Sequence, residues 1–264
     1  MTTKPAIAPI PAAQAIPMAL KALHLPTMVR CWQELAAQAL RDHWTHERFL
    51  AALCDQELAE RSCRRLAARL KAAHLLPGKR LDTFDFTCVP TVSRSQAELL
   101  LAGDWVAKGG NILAFGGTGS GKTHCANGIG YGLVDAGFSV LYIRTNELVQ
   151  RLQAARKDLA LPQMLTKLDR IDVLILDDIG YARKDPAETS VLFDLIAERY
   201  ERRSLIVTCD RAFKDWDALF PDKTMTVAAI DRLVHHSTIL EFGAESYRLR
   251  EAERRKVASA ARKR

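Results

Sequence analysis

Gly116-Gly117-Thr118-Gly119-Ser120-Gly121-Lys122-Thr123 is the stretch that decides the fold. It satisfies G-x-x-x-x-G-K-[ST] at every fixed position, and that spacing has a mechanical meaning. Glycines let the backbone curl until its N–H groups point inward, and the helix that follows adds positive potential at its N-terminus. The motif needs a strand before it and a helix after it. The apolar run Asn111 to Phe115 predicts the strand, and His124 to Val134 predicts the helix. In that setting Lys122 reaches the outer phosphates of a nucleoside triphosphate, and the Thr123 hydroxyl binds its magnesium ion.

Outward from the loop, apolar runs alternate with helical patterns, as a parallel α/β sheet requires. Strands are expected at 139–143, 171–176, 205–209 and 238–242, with helices near 95–106, 147–159 and 189–202. The third strand, Val173-Leu174-Ile175-Leu176, runs straight into Asp177-Asp178 about 55 residues past the loop, in the form of a Walker B element. Asp177 is thereby the expected magnesium residue, and Asp178 the group that orients or deprotonates the attacking water. A polar residue at the end of the fourth strand (Thr208, Cys209 or Asp210) and an outward-reaching arginine, Arg232, would complete a hydrolysis site.

Charge is unevenly distributed around this core. Residues 18–80 carry 11 Lys/Arg against 6 Asp/Glu, residues 246–264 carry 8 against 2, and residues 81–245 carry 18 against 23. Basic flanks on a mildly acidic core point to a polyanionic partner, most simply nucleic acid. After the second strand, Arg144, Arg151, Arg156, Lys157, Lys167 and Arg170 face only Glu147, Asp158 and Asp169, which suits phosphate contact. An ordinary solvated helix face explains the same residues equally well. No aromatic residue interleaves them, so stacking on single-stranded bases has less support.

Before the core, residues 18–80 read as a small all-helical domain. One helix starts at Thr27 and a longer one at Thr45, and the latter carries the basic residues Arg61, Arg64, Arg65, Arg69 and Lys71. Such a face binds DNA phosphates or a partner protein. Residues 1–17, rich in alanine and proline, read as a disordered leader, residues 81–93 as a linker anchored by Phe84, Phe86 and Pro90, residues 94–245 as the ATPase domain and residues 246–264 as a basic tail. The six cysteines have no C-x-x-C spacing, which disfavours thiolate zinc sites and disulfides and suggests a cytoplasmic protein. His43, His46 and His74 lack partners at metal-ligand spacing. No apolar run approaches the ~18 residues of a membrane span.

Several longer segments carry a family resemblance. Phe115 to His124 resembles the phosphate loop of the IstB family, the ATP-binding helpers of insertion-sequence transposition. So do Leu192 to Ser204, Ile230-Asp231-Arg232-Leu233-Val234-His235-His236 and Gly243-Ala244-Glu245-Ser246-Tyr247-Arg248, and the resemblance runs over nearly all of residues 18–250. It implies an AAA+ ATPase of the initiator type, similar to the helicase loader DnaC and the initiator DnaA, with no C-terminal lid after Phe242. It implies ATP-dependent homo-oligomers on duplex DNA that present target DNA to a transposase, with magnesium-dependent ATP hydrolysis stimulated by DNA or a partner. Carried over by position, Asp177 matches the magnesium residue, Asp178 the catalytic acid and Arg232 the arginine finger acting in trans. Asp210 falls where the family pattern expects a sensor asparagine, and a carboxylate there repels the γ-phosphate instead of donating to it. Two alternatives use the same core. A helicase loader would grip a helicase through residues 18–80. A purely structural DNA-binding protein would need a degenerate loop, which intact Lys122, Thr123, Asp177 and Asp178 oppose.

Overall fold

The computed structural model describes residues 11–180, 185–211, 216, 223–243 and 246–247. Residues 1–10 of the expected leader, and Ala244, Glu245, Arg248 and the rest of the basic tail, lie outside the described residues. The chain divides into two compact units, the first ending at Ala68 and the second beginning at Arg69.

In the first unit, helix α1 (Ala12–Ala22) precedes α2 (Pro26–Arg41) and the long α3 (His46–Ala72). Residues 12–17, expected within a disordered leader, are instead the start of α1. The helix propensity of Ala, Gln, Met and Leu outweighs the one backbone bond that Pro17 forgoes. Glu57 is buried on α3, and its carboxylate accepts the amides of Thr27 (2.8 Å) and Met28 (3.1 Å) at the start of α2. This is the favourable place for a negative charge, because the first amides of a helix have no intrahelical acceptor. Arg61 donates to the same carboxylate at 2.9 Å and to the His24 carbonyl at 2.6 Å. Part of the basic face therefore locks the helices together.

The second unit is a three-layer α/β structure. Five parallel strands, β1 (Asn111–Gly116), β2 (Val140–Arg144), β3 (Val173–Asp177), β4 (Ser204–Cys209) and β5 (Ser237–Phe242), lie in the order β2-β3-β4-β1-β5. All of β3 and all of β4 is buried, which explains their near-continuous apolar sequence. Leu174 and Leu176 of β3, with Leu205 and Val207 of β4, pack in one core with residues of α6 (Thr145–Lys157), α8 (Pro186–Arg199) and α9 (Lys223–Val234). The alternate position Ile175 faces α5 (Lys122–Asp135), where Gly130 approaches so closely that a Cβ would sit 2.8 Å from it. Side chains alternate across a strand, so a two-sided sheet needs both helix layers.

Strand ends fall within about two residues of their expected positions, the usual play of such boundaries. Two helices differ more. The helix expected near 95–106 is α4 (Arg94–Leu99) followed by single 3₁₀ turns, because Gly103 at φ 78° stops it. A helix not foreseen, α7 (Leu161–Asp169), opens on Pro162 in its first turn, where the missing N–H costs nothing. The expected linker 81–93 holds two 3₁₀ turns and buries Phe84. Among the described residues no helix is long and apolar enough to cross a membrane.

Candidate nucleotide site

Parallel pairing puts the C-terminal ends of β1, β3 and β4 on one edge of the sheet, and β4 lies between the other two. The phosphate loop leaves β1 at Gly116, and α5 begins at Lys122. Gly119 at φ 84° and Gly121 at φ 104° hold left-handed conformations that suit glycine. At Gly121 a Cβ would meet the Phe84 ring at 3.0 Å, and at Gly119 it would meet Ser246 Oγ at 2.3 Å. The loop is thus packed from two sides of the unit.

Lys122 is only 6% exposed. Its Nζ donates to the carbonyls of Gly116 (2.7 Å) and Gly117 (2.9 Å). Burial pulls its pKa down, and the charges of Asp178, Asp210 and Asp177 work against that pull. A cation so placed sits among carboxylates, at the mouth of the loop that must receive phosphate. Beside it Ser120 is buried, and its Oγ has no hydrogen-bond partner among the described residues.

Asp177, at the end of β3, is the most heavily bonded group in the site. Its Oδ1 accepts the hydroxyls of Thr123 (2.9 Å) and Thr208 (2.7 Å), and its Oδ2 accepts Tyr142 (2.8 Å). The Thr145 hydroxyl donates to its backbone carbonyl at 2.9 Å. Four hydroxyls from α5, β4, β2 and α6 therefore fix this one residue. Thr123 Oγ1 and the Asp177 carboxylate are hard oxygen donors in contact, the chemistry a magnesium ion takes. The pair fits such an ion.

Asp178 follows at φ 64°, its amide donating to Thr208 Oγ1 at 2.8 Å. Partial burial, and then the charge of Asp177, push its carboxyl above the ordinary value, with Asp210 adding to the effect and Lys122 opposing it. Asp210 lies at the end of β4, and its buried Oδ1 has no hydrogen-bond partner among the described residues. The position expected to carry the sensor thus holds a carboxylate oxygen without a hydrogen-bond partner, near Lys122 and Asp178.

The remaining expected residues lie elsewhere. Arg232, on α9, donates to the Ala228 carbonyl at 3.1 Å, and its guanidinium sits 5.0 Å from the centre of the Phe193 ring. Arg151 pairs with Glu147 at 2.6 Å, and Arg156 pairs with Asp194. Lys157, Lys167 and Arg170 are exposed on or beside α6 and α7. Two of these five basic residues therefore already have carboxylate partners.

One wall of the site is poorly signalled in the sequence. An open cleft runs from the loop to Thr83, Phe84, Cys88, Val89 and Tyr247. Its mixed polar and apolar lining suits a small-molecule ligand. The Tyr247 amide donates to the Gly119 carbonyl at 3.1 Å, which draws the chain after β5 onto the loop. His124 closes the other side, with its Nε2 3.0 Å from the Arg80 carbonyl and 3.2 Å from Thr83 Oγ1, and its ring edge-on to Phe84. Of these residues only Phe84 as an anchor, His124 at the loop and Tyr247 in a family motif stand out in the sequence. Cys88 and Val89 carry no motif.

Among solved structures this chain is similar in fold to DnaA from Aquifex aeolicus bound to AMPPCP, with a TM-score of 0.54 and 18% identity over 64% of this chain and 51% of that one. It is similar also to a DnaC helicase loader, with a TM-score of 0.51 and 20% identity over 63% of this chain and 97% of that one. At such identities the likeness speaks for the fold alone, and with the phosphate loop at the end of β1 it makes this a protein of P-loop α/β fold. Relatives at higher identity narrow the class. An insertion sequence ATP-binding protein of Sinorhizobium fredii is 53% identical over 88% of this chain and 78% of its own length. The IS21 ATP-binding protein of Pseudomonas aeruginosa is 38% identical over 88% and 86%. The IstB-like ATP binding protein family matches residues 18–255, and the chain belongs to that family.

Proposed function

We propose that this protein is an ATP-hydrolysing, DNA-binding assembly factor that helps a transposase select and capture target DNA. The observation that carries the reading is the joined Thr123–Asp177 pair at 2.9 Å beside an intact phosphate loop, in a chain of an insertion-sequence family. Loop amides and Lys122 bind the triphosphate of ATP, and Lys122 exchanges its loop carbonyls for phosphate oxygens. Thr123 and Asp177 would hold a magnesium ion, which would supply neutralisation of phosphate charge. Asp178 orients the attacking water and takes its proton, a role that suits a carboxyl raised above its ordinary value. Arg232, with no partner in its own phosphate loop among its described contacts, reaches the site of a neighbouring copy. Hydrolysis is then completed only in the oligomer. We assign Lys157, Lys167 and Arg170 as the available phosphate contacts to duplex DNA, with Arg151 and Arg156 joining on release from Glu147 and Asp194.

The decisive experiment measures duplex-DNA affinity against salt concentration, with and without ATP, for the wild type and Lys122→Ala. ATP should tighten binding and steepen the salt slope for the wild type, because an oligomer engages more phosphates. Lys122→Ala should respond to neither. Wild-type binding that is indifferent to ATP would sink the assembly reading, and unimpaired nucleotide binding by Lys122→Ala would sink the phosphate-loop assignment.

A further inference from the structure

A second cluster of ligand-type side chains lies at the opposite edge of the sheet, where β4 and β5 begin. Glu201 sits in the turn between α8 and β4, and His235 and His236 sit in the turn between α9 and β5. One donor atom from each of the three lies within 4.8 Å of the others. His236 Nε2 is 3.6 Å and His235 Nδ1 3.7 Å from Glu201 Oε1. We propose that these three residues form a binding site for a divalent transition-metal ion of the Zn²⁺ or Ni²⁺ type.

The donor set argues for that class. Two imidazoles and one carboxylate are borderline ligands, which favour Zn²⁺, Ni²⁺, Co²⁺ or Cu²⁺ over the all-oxygen preference of Mg²⁺ and Ca²⁺. Metal–ligand bonds of about 2.0–2.1 Å at the tetrahedral angle place donors about 3.3 Å apart. The separations of 3.6 and 3.7 Å close to that value with small rotations of exposed side chains.

The backbone holds the three residues in place before any ion arrives. Glu201 and His236 both adopt left-handed conformations, at φ 56° and 60°. The His236 carbonyl accepts the Asn111 amide at 3.1 Å, continuing the β1–β5 pairing. Gly109 passes so close that a Cβ there would lie 2.7 Å from the Glu201 carbonyl carbon. An outer contact is also present, since the Tyr200 hydroxyl and His235 Nδ1 are 2.6 Å apart. The hydroxyl shares Nδ1 with the proposed ion and must turn away when the metal takes that nitrogen. An ion here ties the end of α8 to the end of α9, the two helices whose residues Phe193 and Arg232 stack.

The site is independent of the nucleotide loop, so its test is too. Chelator-treated full-length protein is titrated with Zn²⁺ and separately with Ni²⁺ by calorimetry, alongside thermal unfolding with and without metal. The wild type should take up one equivalent that His236→Ala and Glu201→Gln do not, and metal should raise its unfolding temperature but not theirs. Tyr200→Phe, which frees His235 Nδ1 of its hydroxyl partner, should bind the same ion at least as tightly as the wild type. ATP affinity of all three variants should match the wild type, which shows that the fold is intact. If the wild type takes up no such equivalent at submillimolar metal, or if the His236 and Glu201 variants retain it, the site does not exist. Uptake lost on blocking the cysteines with a thiol reagent would place the metal elsewhere and equally overturn the assignment.

Discussion

The Thr208 hydroxyl donates to Asp177 Oδ1 at 2.7 Å while accepting the Asp178 amide at 2.8 Å, so one side chain of β4 fixes both aspartates at the end of β3. The bridge is buried, where an unmade hydrogen bond costs more than a made one contributes. Thr208→Val keeps the shape and removes both bonds. It should lower stability by about 1–3 kcal/mol in urea unfolding. It should also weaken nucleotide binding more in the presence of magnesium than in its absence, since Asp177 loses a support. Equal losses under both conditions would mean that Thr208 holds the fold and not the metal ligand.

Asp210 presents an unpaired carboxylate oxygen in a site that must receive triphosphate. Its charge also opposes the burial of Lys122 and adds to the upward shift of Asp178. Asp210→Asn removes that repulsion without changing size. The expected result is tighter ATP binding, on the order of 1 kcal/mol or roughly fivefold, at the effective dielectric of a partly buried site. Fluorescent-nucleotide titration reads it directly. Unchanged or weaker binding would show that the carboxylate points away from the phosphates.

The sheet and the phosphate loop are legible in the sequence because local patterns specify them. β1, β3 and β4 are apolar runs bounded by turn residues, and the loop's glycines, lysine and threonine lie in one contiguous motif. Asp177 is legible as a strand-end carboxylate, and Thr123 and Thr208 as site candidates, yet its other two hydroxyl partners are not. Tyr142 and Thr145 come from β2 and α6 and meet Asp177 only when the strands pair. The cleft wall at Phe84, Cys88, Val89 and Tyr247 is long-range in the same sense, because the segments before β1 and after β5 converge on Gly119 and Gly121. Helix α7 hides for a different reason. Its apolar residues Leu161, Met164, Leu165 and Leu168 do recur at i, i+3, i+4 and i+7, but the stripe is only nine residues long and opens on a proline.

Arg199 shows how charge can be invested in the fold instead of the function. It is 1% exposed, and its guanidinium donates to the carbonyls of Leu168, Ile171, Asp172 and Ser204 at 2.9–3.2 Å. Burial pulls its pKa down to about 10, well above neutrality, so it stays charged. Arg199→Met should destabilise the second unit by about 3 kcal/mol or more, because several buried carbonyls lose their donor. Arg199→Lys should rescue little, since a single ammonium cannot reproduce the planar fork. Full rescue by lysine in thermal unfolding would show that charge alone matters at this position.

His124 sets a pH limit on the nucleotide site. Burial lowers its pKa below the ordinary 6.5, with the nearby positive charge of Lys79 in the same direction and the Arg80 carbonyl in the other. A folded-state value below the unfolded one means that the unfolded chain binds the proton more readily. The contribution of neutral His124 is therefore fully present above pH 6.5 and is lost as pH falls through the folded value. Wild-type unfolding midpoints should drop on acidification below that point, and His124→Gln, which can still bond Thr83 or the Arg80 carbonyl but does not titrate, should drop less. ATP affinity should follow the same division, since His124 packs on Phe84 beside the loop. Parallel pH profiles for the two proteins would mean that the acid sensitivity comes from other groups.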